Sequence, residues 1–369
     1  MSSIRLEKLE KWYGKTVHAV CGIDLDIADG EFMAFLGPSG CGKSSTMRVI
    51  AGLEEVTSGK LFFDDKLVNE VSAKDRGVAM AFESYALYPT LSTYENLAFP
   101  LRAAGWKQAD VDKRVREIAA VLEITELLQY KPNGMSSGQS QRVGLARALT
   151  RKPNVFVLDE PISHLDTRQR SRMRAYLKRL HIELNHTMIY VTHDQEEAMA
   201  MADRITVMNK GLLIQTGTPE EIYNHPVNIF VAGFVGEPAM NFLECEYKRG
   251  ERQDILIHKS VEIPLPAYLK ALANDNKLPA KIILGIRPFF VGISPTKNDQ
   301  HSIPAEVFVA EPMGDMTVVS VKIHETRFQV VTTPDFHALP KQNVWLSFDS
   351  AHILLFDMKS ENALSVGKN

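Results

Sequence analysis

A chain of 369 residues is too long for one typical hydrophobic core and suits two domains. Its 45% hydrophobic and 24% charged residues are those of an ordinary globular protein, and a formal charge of -3 gives no basic field for a polyanion, which disfavours a nucleic-acid role. The charged start "MSSIRLEKLEKWYG" is no secretory leader, no run of about 18 apolar residues appears, and the three cysteines (Cys21, Cys41, Cys245) are too scattered for a disulfide framework or zinc site, so a cytosolic chain with reduced thiols is expected.

In chain order, the first 235 or so residues alternate short apolar runs with helical patterns. The runs are "EFMAFL" (31–36), "GVAMAF" (77–82), "NVFVLD" (154–159), "MIYVT" (188–192) and "ITVM" (205–208). Continuous apolarity with helices between predicts a parallel sheet covered on both faces. Residues 168–186 predict a helix whose stripe of Met173, Leu177, Leu180 and Leu184 faces a core. From "GEPAMNF" (236–242) the pattern changes to short strands such as "KIILGIRPFFVGI", "AEVFVAE", "TVVSVKI", "FQVVTT" and "NVWLSF", without a long helix after about residue 275. A small barrel-like β domain is expected there, with the boundary near Gly236.

Three elements carry chemistry. After "EFMAFL" comes "GPSGCGKS", Gly37–Ser44, which fills every fixed position of G-x-x-x-x-G-K-[S/T] between a strand and a helix. Glycines let successive N–H groups wrap a phosphate, and the following helix adds its positive end. The cradle comprises Gly37, Pro38, Ser39, Gly40, Cys41, Gly42, Lys43, Ser44 and Ser45, with Lys43 reaching the β- and γ-phosphates and the Ser44 hydroxyl on Mg²⁺. In "VFVLDEP", Asp159 can hold Mg²⁺ at the carboxyl edge of the sheet, while Glu160 can orient or deprotonate an attacking water. In "VTHD", His193 can polarise the γ-phosphate and that water.

The succession "GPSGCGKS", "SYALYP", "SSGQSQRV", "VFVLDEPISHLD" and "VTHDQEEAM" resembles the ATP-binding subunit of an ABC transporter. The second half, with "FVAGFVGEPAMNFL" and "LGIRP", resembles the regulatory domain of the carbohydrate-importer branch of the maltose, trehalose and glycerol-phosphate type, although "RPFF" departs from that branch after Pro288. The resemblance implies an α/β P-loop ABC ATPase domain over residues 1–235, with a helical subdomain at about 88–150, followed over 236–369 by a small OB-like β-barrel for regulation or dimerisation. It implies ATP and Mg²⁺ as ligands and a nucleotide sandwich with a second ATP-binding subunit in a homo- or heterodimer. It further implies two membrane permease subunits, an extracytoplasmic solute-binding protein acting indirectly, and a peripheral place on the cytoplasmic face of the membrane.

By the same resemblance Ser136, Ser137, Gly138 and Gln139 grip the γ-phosphate of the partner's nucleotide, as a serine-started helix end also permits physically. Ser136 also makes a good N-cap without any ligand. Tyr13 matches the aromatic that stacks on adenine, with Trp12 an alternative beside it. Ser163 and Asp166 match the loop that links the two ATP sites, and "SYALYP" (84–89) matches the region that docks a permease helix.

Two positions break the family pattern. Glu83 replaces glutamine; as a carboxylate it is a hard-oxygen ligand for Mg²⁺ but adds negative charge beside a triphosphate, so nucleotide affinity should depend more on Mg²⁺, or Glu83 should be partly protonated with ATP bound. Ser137 replaces glycine, which would cost roughly 1 to 2 kcal/mol if that residue needed a positive φ or very close backbone approach. The expected function is ATP hydrolysis driving import of a carbohydrate, polyol or glycerol-phosphate-like solute. The alternative is a weakly hydrolysing regulatory subunit paired with a more active ATPase subunit.

Overall fold

The computed structural model describes every residue except Met1, Glu83, Lys152, Arg252 and the stretches 275–277, 299–300 and 365–369. Two compact units emerge, Met1–Pro219 and Glu220–Asn369.

The first unit contains two sheets. Strands β1 (Ile4–Tyr13), β2 (Val17–Ile27), β4 (Ser58–Phe63) and β5 (Lys66–Leu67) form an antiparallel sheet in the order β2-β1-β4-β5. Strands β3 (Phe32–Leu36), β6 (Val78–Ala81), β7 (Val155–Asp159), β8 (Thr187–Thr192), β9 (Arg204–Asn209) and β10 (Leu212–Gly217) form the second, in the order β10-β9-β3-β8-β7-β6. All its neighbouring pairs run parallel except the β9/β10 hairpin. The five apolar runs of the sequence are five of these strands, and β3, β7 and β8 are buried along their whole length. Interleaving them are α1 (Lys43–Ala51), α2 (Thr93–Ala103), α3 (Gln108–Val121), α4 (Ser137–Thr150), α5 (Thr167–Leu184) and α6 (Gln195–Met201), of which α2 to α4 form the expected helical subdomain.

One core joins both sheets through α1: Leu6, Leu9 and Ile23 from the antiparallel side and Phe35, Val157, Ile189 and Val191 from the parallel side pack with Met47, Val49 and Ile50. Each such fully buried side chain contributes roughly 1.5–3 kcal/mol. Helix α5 buries Met173, Leu177 and Leu180 as its stripe predicts, while the side chain of Leu184 lies outside the described residues.

In the second unit α7 (Pro219–Asn224) and α8 (Ile229–Phe234) precede a pair of five-stranded antiparallel sheets. The first holds β11 (Asn241–Lys248), β12 (Ile255–His258), β13 (Val261–Pro264), β14 (Lys281–Ile286) and β20 (Leu354–Asp357). The second holds β15 (Val291–Ser294), β16 (Ile303–Pro312), β17 (Thr317–Ile323), β18 (Thr326–Thr332) and β19 (Asn343–Phe348). A short α9 (Lys270–Asn274) follows β13. Alternate residues of the two sheets, among them Leu243, Ile282, Leu284, Val319, Phe328 and Leu346, fill a common core. Asn241 ties the sheets together, donating to the Gln329 carbonyl at 2.7 Å and accepting from its N–H at 2.7 Å. The second compact unit starts at Glu220, ahead of the compositional change at Gly236, and includes α8, whose Ala232 packs with Met240 and Phe356.

Candidate functional site

The sheet order decides the site. Strands β3, β8, β7 and β6 are neighbours and parallel, so the segments that leave their carboxyl ends lie side by side. Those segments are the glycine loop from Gly37, His193, the pair Asp159 and Glu160, and Phe82 with the "SYALYP" stretch. Glu83, at the start of that last segment, lies outside the described residues.

The glycine loop is shaped by its packing. A Cβ on Gly37 would stand 2.4 Å from the Met208 carbonyl oxygen, and one on Gly42 would stand 2.4 Å from that of Ala19. Gly42 has φ +107 and heads α1 without any side-chain cap. Lys43 is 6% exposed, and its ammonium donates to the Gly37 carbonyl at 2.7 Å and the Pro38 carbonyl at 3.1 Å. Among the described residues no carboxylate lies within 4.0 Å of it, so the cation is held by neutral acceptors in front of an uncapped helix start. That is a site for an anion, to which Lys43 can transfer a stronger, charge-assisted bond.

Tyr13 stands next to this loop, its hydroxyl 3.4 Å from Ser45 Oγ. Trp12 is engaged elsewhere: its indole stacks on His18 with centroids 3.9 Å apart and donates to Glu10 at 3.3 Å. Tyr13 carries the Lys11 ammonium 5.1 Å from its ring centroid, so each ring has a neighbour of its own and Tyr13 is the one beside the loop.

Asp159 is 4% exposed at the end of β7. Glu160 follows with φ +45, a left-handed conformation that costs a non-glycine residue about 1–2 kcal/mol. Its N–H is bound to the Val191 carbonyl at 2.9 Å, and its carboxylate meets His193 Nδ1 at 2.8 Å. His193 is the more exposed partner, with 59% of its side chain open against 21% for Glu160. The turn after His193 is braced by Asp194, which caps α6, and by Glu197, which accepts from the Tyr190 and Thr192 hydroxyls at 2.8 Å each. Burial raises the Glu197 carboxyl above its ordinary range.

On α4, Ser136 and Gln139 form a reciprocal capping box: Ser136 Oγ accepts from the Gln139 N–H at 3.2 Å and Gln139 Oε1 from the Ser136 N–H at 2.9 Å. Ser137 opens the helix in the ordinary right-handed region, so the cost attached to a positive φ does not arise. Asp166 caps α5, accepting from the Gln169 N–H at 2.8 Å. Ser163 Oγ donates to the Glu160 carbonyl at 3.1 Å.

The "SYALYP" segment is pinned to α4. The Arg147 guanidinium donates to the Ala86 carbonyl at 2.6 Å and the Tyr85 carbonyl at 3.2 Å, and a Cβ on Gly144 would come within 3.3 Å of Tyr85. Tyr85 is half-buried with its ring edge-on to His164 at 6.0 Å, whereas Tyr88 stays 42% exposed beside Phe99. A groove of about 820 Å³ opens there, lined by Leu53, Phe82, Tyr88, Phe99, Trp106 and Arg147.

Sequence reasoning missed Gln141 and Arg170. Gln141 is 3% exposed and bonded to the 160–164 segment, and Arg170 Nη1 stands 3.3 Å from Asp194. The available signal for Gln141 was a polar residue on the helix face that also carries Leu145 and Ala148. Among the described residues no cluster of three or more His, Cys, Asp or Glu side chains could hold a metal alone, and no helix is long and apolar enough to cross a membrane.

Comparison with known proteins bears on these features directly. The ABC transporter family matches residues 20–163, the MalK OB fold domain residues 236–288 and the TOBE domain residues 284–356. The chain is 43% identical over 368 residues to an ABC transporter ATP-binding protein, YcjV, of Escherichia coli, covering 99% of this chain and 100% of that one. It is 42% identical to the multiple sugar-binding transport ATP-binding protein MsmK of Streptococcus mutans, and 40% identical to the sulfoquinovosyl glycerol transport ATP-binding protein SmoE of Agrobacterium fabrum, again over 99% of this chain and 100% of each relative. Among solved structures, the dimeric post-hydrolysis state of the ATP-binding cassette MJ0796 with ADP and Pi is similar at 28% identity and a TM-score of 0.55, covering 58% of this chain and 98% of that one.

Proposed function

Because the chain belongs to the ATP-binding subunits of ABC transporters, an ATPase family, and carries that family's OB and TOBE domains, we propose that it hydrolyses ATP to energise solute import through two partner permease subunits. It works at the cytoplasmic face of the membrane, held there by the permease. Its cargo is a carbohydrate, polyol or glycerol-phosphate-like solute, a reading supported by what the names of MsmK and SmoE say of those relatives. The single observation that carries the hydrolytic reading is the alignment of the glycine loop, His193 and Glu160 on adjacent strand ends, with Glu160 and His193 in contact at 2.8 Å.

In this reading the backbone of Gly37, Pro38, Ser39, Gly40, Cys41 and Gly42 cradles the phosphates, Ser44 and Ser45 continue the cradle, and Tyr13 stacks on adenine. Lys43 leaves its two carbonyls for the β- and γ-phosphate oxygens, where its charge offsets what develops in the transition state. Glu160 orients the attacking water and accepts its proton, and His193 holds that carboxylate while reaching the γ-phosphate. Ser44 and Asp159 would supply hard oxygens of the kind Mg²⁺ takes alongside substrate phosphates, and a bound ion would offset the negative charge of the triphosphate. Glu83 is a further oxygen ligand at that position in sequence. Ser136, Ser137, Gly138 and Gln139 serve the nucleotide of a second ATP-binding subunit, with Ser163 and Asp166 between the sites. The groove beside Tyr88 and Phe99 receives the permease helix.

The test is Glu160→Gln in the assembled importer. Hydrolysis should fall by about 10² to 10⁴-fold with ATP still bound, the range a positioned general base supplies. Undiminished hydrolysis by this variant would refute the assignment.

A further inference from the structure

Glu160 poses a structural problem that its own side chain does not solve. Its left-handed backbone is unfavourable for a non-glycine residue, and such conformations persist only where the surroundings over-determine them. Its N–H is held by Val191 on the neighbouring strand. Its carbonyl is held from a different direction, by Gln141 of α4: Gln141 Nε2 donates to the Glu160 carbonyl at 3.0 Å and to Ser163 Oγ at 3.3 Å, and Gln141 Oε1 accepts from the His164 N–H at 3.0 Å.

These contacts use both amide hydrogens and one lone pair of a side chain that is 3% exposed. Turning the amide over would set Oε1 against two oxygen acceptors and Nε2 against an N–H, so the network admits one orientation. Ser163 Oγ closes a small ring by donating to the same Glu160 carbonyl at 3.1 Å. Gln141 thus lies five residues after Ser136 on one rigid helix and grips the turn that presents Glu160.

We infer that Gln141 is a positioning residue for hydrolysis: its amide fixes the strained Glu160 backbone, and through α4 it ties Glu160 to the Ser136–Gln139 edge of the same chain. That edge serves the partner's nucleotide in the function proposed above, on which this inference rests. A shift of α4 on engaging a phosphate is therefore transmitted to the chain's own Glu160, which links the two ATP sites through one side chain.

The experiment uses the full chain and compares Gln141→Glu with wild type and with Glu160→Gln. Gln141→Glu keeps the size of the side chain but loses both N–H donors and faces two oxygens with a carboxylate. Hydrolysis per folded molecule, with folding checked by thermal melting, should fall on the order of 10²-fold, the effect expected from misplacing a reacting group by about 1 Å. ATP affinity, measured with a fluorescent nucleotide analogue, should stay within about threefold because the hydrogen bonds of the Gln141 amide go to Glu160, Ser163 and His164 and not to the glycine loop. The cooperativity of hydrolysis with ATP concentration should fall with the rate. Gln141→Ala, which removes the charge clash, should show the same split between kcat and affinity.

Either variant retaining kcat within about twofold, or losing affinity and kcat together, overturns the inference. If wild type hydrolyses ATP, Glu160→Gln does not and Gln141→Glu does, only the inference fails; if Glu160→Gln hydrolyses as wild type does, the reading of Glu160 fails first.

Discussion

Two helix starts in the first unit, both assigned to phosphate in the proposed function, are prepared in opposite ways. Helix α1 begins at Gly42, left-handed and without a side-chain cap, behind a lysine whose ammonium rests on two carbonyls. Helix α4 begins at Ser136 inside a closed capping box that satisfies its own first turn. The first has its geometry set by packing, since Gly37 and Gly42 abut the backbone carbonyls of Met208 and Ala19, and it offers its positive end outward. The second is complete without a ligand, so a phosphate arriving there competes with Gln139 for the Ser136 N–H, an arrangement of the order of 1 kcal/mol. The contrast teaches that the glycine loop stands open at its helix start whereas the α4 edge is closed by its own cap, so that under the function proposed above it is engaged only when a second chain brings phosphate to it.

The largest expected effect tests the open loop. Lys43→Ala removes the only described cation within the loop and leaves the Gly37 and Pro38 carbonyls without their charged donor. ATP hydrolysis should drop by at least about 10²-fold, the cost of losing one donor to a transition-state anion, and ATP binding should weaken in an equilibrium titration. Lys43→Ala with unchanged ATP affinity and turnover would mean that the loop binds without its cation and that the contrast with α4 is empty.

A smaller effect is expected at the closed edge. Ser136→Ala opens the capping box and should lower unfolding stability by about 1 kcal/mol, read as a reduced midpoint in urea. If the hydroxyl also meets the partner's phosphate, hydrolysis should fall by about 10-fold or more, with ATP binding to the isolated chain unaltered. Stability loss without any change in turnover would reduce Ser136 to a cap.

How much of this was legible follows from what each element is made of. The buried parallel strands read plainly because a strand covered on both faces needs apolar residues throughout, as in "VFVLD" and "MIYVT". The antiparallel strand β1 did not, because Leu6 and Leu9 point inward between Glu7, Lys8 and Glu10, and the register shifts between Leu6 and Leu9 break the alternation that would betray it. The glycine loop could be read residue by residue since its chemistry is local. The brace on Glu160 could not, since a left-handed φ leaves no trace in a glutamate, and Gln141 reaches it from 19 positions away. Tyr13 was the match and Trp12 the alternative on paper, and the stacking of His18 on the tryptophan is a contact between side chains that spacing alone does not reveal.

The smallest effect is the most discriminating for the α4 edge. Ser137 stands where a glycine was expected, and a glycine is required there if the backbone is left-handed or must approach a ligand very closely; the first condition is decided by the fold. The backbone is not left-handed: Ser137 is the first residue of α4 in ordinary helical conformation, and a Cβ on Gly138 after it would stand 3.5 Å from the His164 carbonyl. Relieved of conformational strain, Ser137 keeps its N–H available and adds a hydroxyl at a helix start where an anion is stabilised. Ser137→Gly should therefore change turnover by no more than about threefold and stability by only a few tenths of a kcal/mol. A rise in turnover of tenfold or more would show instead that the serine side chain obstructs close approach of the partner's phosphate, and that the edge is conditional for a steric reason as well as for its closed cap.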